Sequence, residues 1–401
     1  MRFANTRSVG KFPRLDGVDA LRGLAIFFVL MNHVNMRLRL AKVPYTNGVP
    51  EQLVSSLVWN GQFGVQIFFA ISGFLITSTA LRRWGSLSRL PVRDFYALRF
   101  ARIGPLLVLL LTILSVLHLA GLKNFVIAPR VGGLGRALFA ALTFHVNVLE
   151  ASRGYLPANW DILWSLSVEE MFYLFFPLAC RILKPGRLFI AVLVLFVCLG
   201  PFGRTILARG NGVWKEYSYL GSMDAIAFGC LTALLVSQVR FSPAVLRVFG
   251  IAGAAMMGFI LMFSIRASQW GLERNGLNMT FLALGTCMIM IVVAQTDWTA
   301  SRVLRPFLTM GECSYEIYLT HMFVVFAFFE VFLRAGKPMH AVPLLFVATL
   351  LTSVLVGTLT ARLFSEPMNR RLRKLFGRET NRLAPVVGLD LKTPHRADRP
   401  Q

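Results

Sequence analysis

Charge is thinly spread along these 401 residues: 15% are Asp, Glu, Lys or Arg, against about 25% in a typical soluble domain. With 56% hydrophobic residues, the shortage excludes a chain that must present a charged surface to water. Acids are the scarcer sign, 19 against 42 basic residues, for a net charge of +23. In a soluble protein that excess would suggest nucleic acid. In a chain this apolar it reads first as the positive-inside bias of membrane loops, and second as a hold on an anionic ligand at the cytoplasmic side. Cysteine is rare. Cys180, Cys198, Cys230, Cys287 and Cys313 lie in apolar stretches without paired spacing, as small core residues rather than disulfides or metal ligands. There is no G-x-S-x-G elbow, H-E-x-x-H, P-loop or dinucleotide fingerprint, which argues against metal chemistry and ATP hydrolysis. No internal repeat is visible.

What the chain has instead is a succession of apolar runs of membrane length, preceded by a short basic start resembling a signal anchor. The expected fold is all-α, a polytopic membrane helix bundle of about ten transmembrane helices without a soluble domain. The expected spans are Gly17–Met36, Leu57–Leu81, Ile103–Leu122, Leu163–Leu183, Leu188–Leu207, Gly221–Val239, Ala244–Ile265, Leu277–Ala294, Cys313–Leu333 and Val342–Phe364. A basic loop carrying Arg82, Arg83, Arg89, Arg93, Arg99 and Arg102 is expected between the second and third. The run Leu134–Leu149 has 16 residues with His145 and Asn147 inside, short for a span. Charge decides its role. If it does not cross, Arg14, the Arg82–Arg102 loop, Lys184–Arg187, Arg240–Arg247, Arg302–Arg305 and the basic tail all fall on one side. The reading is therefore a re-entrant or interfacial segment and both termini cytoplasmic. Residues 1–14 form a basic N-terminus, 15–370 the membrane domain and 371–401 a basic tail that loses periodicity and reads as disordered.

Titratable groups inside the spans are costly unless paired or hydrated, so each is a candidate for function. Arg22 and His33 are eleven residues apart on one helix face, about 16 Å along the axis. Arg22 either belongs to a polar pathway or pairs with Asp16 or Asp19; His33 is a candidate general base or an interfacial histidine near a helix end. Glu169 and Glu170 point about 100° apart, so one at most can face His33, which the topology places at the same outer depth. The competing reading of these acids is a structural ion pair. Asp224 is a third buried acid, more a partner for an arginine than a catalyst. Arg99 and Arg102 can bind phosphate bidentately or simply set topology. Ser314, Tyr318 and His321 form one polar face, with Tyr315 beside it, which suggests a lined cavity.

The stretches that carry these residues are, in order, L-D-G-V-D-A-L-R-G-L-A with His33, G-Q-F-G-V-Q-I-F-F-A-I-S-G-F-L-I, F-Y-A-L-R-F-A-R-I-G-P, W-S-L-S-V-E-E-M-F-Y, G-E-C-S-Y-E-I-Y-L-T-H and S-E-P. Together, over roughly residues 15–370, they resemble the acyltransferase-3 family, multi-span membrane enzymes that O-acylate extracytoplasmic acceptors. Gln66 stands where that family often has an acid, and Ser222 where an arginine usually precedes the acid at 224. The resemblance implies a cytoplasmic acyl-CoA donor, usually acetyl-CoA, with no metal, and a sugar hydroxyl of a carbohydrate or glycolipid as acceptor on the outer side of the cell inner membrane. It implies that the Arg22–His33 pair is functional and that Glu169, the first acid of V-E-E, matters more than Glu170.

The resulting expectation places the donor phosphates on Arg22, Arg99 and Arg102 and makes His33 the base for the acceptor hydroxyl. Glu169 orients His33 at the outer end. The rival classes are a proton-coupled transporter, against which no inverted repeat is apparent, and a non-catalytic acyl-carrier scaffold. The acceptor cannot be read from the residues.

Overall fold

In hydrocarbon a single segment can satisfy its own N–H and C=O groups only as a helix. The computed structural model, which describes residues 15–296 and 298–383, follows that rule, with no strand among the described residues. Among the described residues ten helices are long and apolar enough to cross a membrane. They are α1 (Asp16–Leu40), α2 (Gly61–Trp84), α3 (Val92–Leu119), α4 (Leu163–Ile182), α5 (Arg187–Arg204), α6 (Tyr219–Gln238), α7 (Pro243–Met262), α8 (Leu277–Gln295), α9 (Ser314–Arg334) and α10 (Val342–Thr360). The protein is thus a multi-pass membrane helix bundle, its spans in the expected order.

Burial separates an inner set from an outer set. In the apolar stretch containing α2, 72% of residues are buried, against 28% in those of α5, α7 and α10. The outer helices turn Leu195, Ile251 and Leu351 outward, as lipid-facing surfaces do. Small residues let the inner helices approach closely. A side-chain carbon at Gly73 on α2 would overlap the Ile226 carbonyl of α6, and one at Gly229 on α6 would overlap the Ala70 carbonyl of α2. The helix Arg305–Glu312 lies against α1 in the same way, Gly23 facing the Phe307 carbonyl and Gly311 the Asp19 carbonyl.

Two local expectations are corrected, and the expected non-spanning run Leu134–Leu149 gains detail. The basic loop is shorter than its charges imply: α3 begins at Val92, just after Pro91, so Arg93, Arg99 and Arg102 stand on helical turns. Asp94 in the first turn complements the helix dipole. The run Leu134–Leu149 is two short helices, Gly133–Leu142 and Val146–Arg153, broken where Phe144 takes a left-handed conformation (φ 57°). Ten residues give about 15 Å of helix, half a bilayer's hydrocarbon, so neither piece is a span. The chain beyond α10 stays helical past residue 371: a π-helical turn, Ala361–Ser365, leads into Glu366–Leu383. Pro367 clashes with the carbonyl four residues back, inside that turn, and the wider turn accommodates it. The rest of the expected tail, and residues 1–14, lie outside the described residues.

Candidate active site

A cavity of about 440 Å³ opens between α1, α2, α3, α4 and α9. Its cationic wall is Arg22 of α1, Arg83 of α2, Arg99 and Arg102 of α3, and Arg373 of the helix after α10. Arg99 and Arg102 are one turn apart, so the start of α3 at Val92 aims both the same way. Glu169 and Tyr173 of α4 line the cavity with Ser72 of α2, Tyr173 in contact with Arg99. Val65, Phe69, Leu75 and Ile76 give α2 an apolar floor there. Ser314 and Tyr318 of the expected polar face of α9 also line it, with Tyr315 beside them, while His321 of that face does not.

Hydrogen bonds fix these groups. Arg22 Nη1 donates to Asp19 one turn earlier, at 3.2 Å, so the local pairing and the cavity position hold together. Tyr173 and Ser72 both donate to Glu169 Oε1 and lie against each other. The Arg99 guanidinium stacks 3.4 Å over the Tyr173 ring, and its buried Nε has no hydrogen-bond partner among the described residues. Tyr315 donates to the Ile103 carbonyl (2.9 Å), tying α9 to α3. Tyr318 donates to the Ile162 carbonyl (2.9 Å) and meets the Ser165 hydroxyl at 2.6 Å.

Beyond Tyr318 the polar groups continue into a pair of histidines. The Tyr318 and His321 rings are 5.8 Å apart, and the His321 and His33 rings 4.9 Å, edge to face. His321 is fully buried. His33 Nδ1 lies 2.8 Å from the Val29 carbonyl and 3.4 Å from His321 Nε2. His321 Nδ1 lies 2.6 Å from the Tyr318 carbonyl.

The expected residues therefore divide. Arg22, Arg99, Arg102, Glu169, Ser314, Tyr315 and Tyr318 share one cavity. His33 and His321 are outside its lining and pair with each other. The expected Glu169–His33 hydrogen bond is absent among the described residues: the carboxylate is held by Ser72 and Tyr173, in the arginine cavity rather than beside the histidine. Glu170 does not line the cavity: it is buried within electrostatic reach of Arg99, and its Oε1 has no hydrogen bond among the described residues. Asp224 is likewise no cavity group. It is fully buried and accepts from Arg204 (2.7 and 3.0 Å), Thr280 (2.7 Å) and Gln66 (3.1 Å), tying α6 to α5, α8 and α2. The arginine expected just before it in sequence is supplied by α5, and Gln66 adds a donor where an acid would repel.

Ser72, Tyr173, Ser165, Arg83 and Arg373 were not singled out from the sequence. Tyr173 carried a signal, being one helical turn after Glu169, and Ser72 opens S-G-F. Arg373 carried none, because its stretch read as tail.

Comparison with known proteins bears on the family of the chain. The model of the acyltransferase-3 family, described as an acyltransferase domain, matches residues 15–359. Peptidoglycan O-acetyltransferase OatA of Listeria monocytogenes is 28% identical over 330 residues, covering 77% of this chain and 49% of that protein. O-acetyltransferase OatA of Staphylococcus aureus is 21% identical over 382 residues, covering 91% of this chain and 59% of that protein. The chain spans about half to three-fifths of the length of these relatives. No solved structure matches it. With the family's match running from the first turn of α1 to the end of α10, the chain belongs to the acyltransferase-3 family.

Proposed function

We propose that the protein is a membrane O-acetyltransferase that moves an acetyl group from acetyl-CoA to a hydroxyl of a sugar or polysaccharide. The observation that carries the reading is the arginine-lined cavity adjoining, through Tyr318, a histidine pair of which His321 is buried and His33 part-exposed. Arginine binds phosphate bidentately, and an apolar floor beside Arg22, Arg99 and Arg102 suits a donor with a phosphate head and a less polar arm. The relatives named as O-acetyltransferases, one of them of peptidoglycan, support a glycan acceptor.

In the proposed reaction His33 Nε2 takes the proton of the acceptor hydroxyl. The acceptor oxygen forms a bond to the acyl carbon, the carbon–sulfur bond breaks, and the departing thiolate takes the proton back from His33. The products are an ester and a free thiol. Glu169 offsets the positive charge of the arginines and fixes Tyr173, which carries the Arg99 guanidinium. The donor enters at the end of the bundle that holds Arg83, Arg99 and Arg373, the cytoplasmic side of the inner membrane by the charge bias, and both termini lie on that side.

The test is transfer from labelled acetyl-CoA to a panel of soluble glycan oligomers, peptidoglycan fragments included, by the purified protein in liposomes. Wild type should form an alkali-labile ester. His33→Ala should lose about 10²–10⁴ in turnover while binding acetyl-CoA with unchanged affinity. Wild-type turnover by that variant would remove the proposed base. Proton-coupled glycan uptake without ester formation would favour a transporter.

A further inference from the structure

Among the described residues His33 is not served by a carboxylate, and the geometry around it indicates what replaces one. The Val29 carbonyl, 2.8 Å from His33 Nδ1, can only accept, so Nδ1 carries the hydrogen. The Tyr318 carbonyl, 2.6 Å from His321 Nδ1, places a hydrogen there by the same reasoning. Neutral His321 then has its lone pair on Nε2, and that atom faces His33 Nδ1 at 3.4 Å. Two backbone carbonyls, one on α1 and one on α9, thus set the direction of the pair. His33 Nδ1–H is shared between Val29 and His321, and the His33 lone pair is left on Nε2.

We propose that His321 is a positioning residue for the acyl transfer: its Nε2 holds His33 in the Nδ1–H tautomer and steadies the imidazolium formed when His33 Nε2 accepts the acceptor's proton. This rests on the reading of His33 as the base. It assigns to a second histidine the task an acid performs in serine-protease triads, where a wrong tautomer costs turnover rather than substrate binding. The pair suits this depth, because a neutral partner adds no buried anion next to a residue that is neutral between turnovers. His321 is joined to the donor cavity through Tyr318, so the orientation of the base is tied to the wall that the acyl group would reach.

The first test needs no substitution. In protein carrying ¹⁵N-histidine, with His33 assigned by difference against His33→Ala, the ring shifts should report a protonated Nδ1 and an unprotonated Nε2. A dominant Nε2–H tautomer in wild type overturns the proposal. The second compares His321→Gln, whose amide oxygen can occupy the place of Nε2, with His321→Phe, which keeps ring volume without a lone pair. With the acceptor that supports wild-type turnover, His321→Phe should lose about 10-fold or more in kcat, with the KM for acetyl-CoA within about twofold and a mixed His33 tautomer. His321→Gln should recover most of the loss. Equal kcat in both variants and wild type, or a rise in KM alone, contradicts the assignment. Should His321→Phe not fold, the wild-type tautomer and the His321→Gln kinetics still decide. Full activity in His33→Ala would instead sink the underlying reading, whatever the tautomer.

Discussion

Individual side chains separate charge used for function from charge used for assembly. Glu169 and Glu170 are neighbours in sequence, yet one lines the arginine cavity and the other is buried outside its lining. Glu169→Gln removes the one acid that lines the cavity among the described residues. Donor affinity should hold or tighten, since the lost negative charge favours an anion and the amide can still accept from Tyr173, while kcat should fall about 10-fold or more as the charge that balances the arginines is lost. Glu170→Gln should leave both near wild type. Weaker acetyl-CoA binding in Glu169→Gln, or a severe loss confined to Glu170→Gln, would reverse the roles. Outside the spans, burial and the neighbouring Asp161 push the Glu150 carboxyl well above its ordinary value of 4.5. As pH rises through 4.5 the unfolded chain ionises there and the folded one does not, so stability is lost toward neutral pH. Glu150→Gln keeps an acceptor for the Leu156 N–H and should raise the unfolding midpoint at pH 7, with the gain vanishing near pH 4. A midpoint unchanged or lowered at pH 7 would contradict this.

Helices were legible from apolar run length, and their packing was not. All ten spans follow from stretches too apolar for water, but the approach of α2 to α6 depends on Gly73 meeting Ile226 and Gly229 meeting Ala70 across a long sequence separation. Gly73→Ala should force the two helices apart, costing about 1–3 kcal/mol, read as a lower midpoint in thermal size-exclusion of detergent-solubilised protein. An unchanged midpoint would mean that the contact is slack. The same limit explains the site. Helical spacing showed that Ser314 and Tyr318 share a face, and that Glu169 and Glu170 diverge. It could not show that Glu169 meets Ser72 on another helix, nor that His321 meets His33. Depth reckoned from helix ends placed Glu169 beside His33; the lateral arrangement of helices, which depth does not contain, placed it with the arginines. The basic stretch after S-E-P read as tail because its charges hide a helix that the turn at Ala361–Ser365 carries back to the cavity.

Across the whole molecule the charge bias is a partial guide. Arg83, Arg99, Arg102 and Arg373 converge at one end of the bundle, yet Arg37 and Arg39 near the other end of α1 stack over Phe326 (4.4 Å) and Trp59 (4.7 Å). Both are held against aromatic rings at that end, Arg37 part-buried and Arg39 still exposed. The central proposal is that one end of the bundle receives an anionic donor and the histidine pair hands its acyl group to a hydroxyl arriving from the other. The most direct measurement is sided transfer in membrane vesicles, with impermeant labelled acetyl-CoA on one side and a glycan oligomer on the other. Vesicle orientation is fixed by labelling Arg89→Cys in a background without native cysteines. Ester should form only when the donor faces the side where position 89 is labelled, and should fall strongly in Arg99→Ala/Arg102→Ala. Equal transfer from either side, or transfer only with donor opposite position 89, would contradict the account.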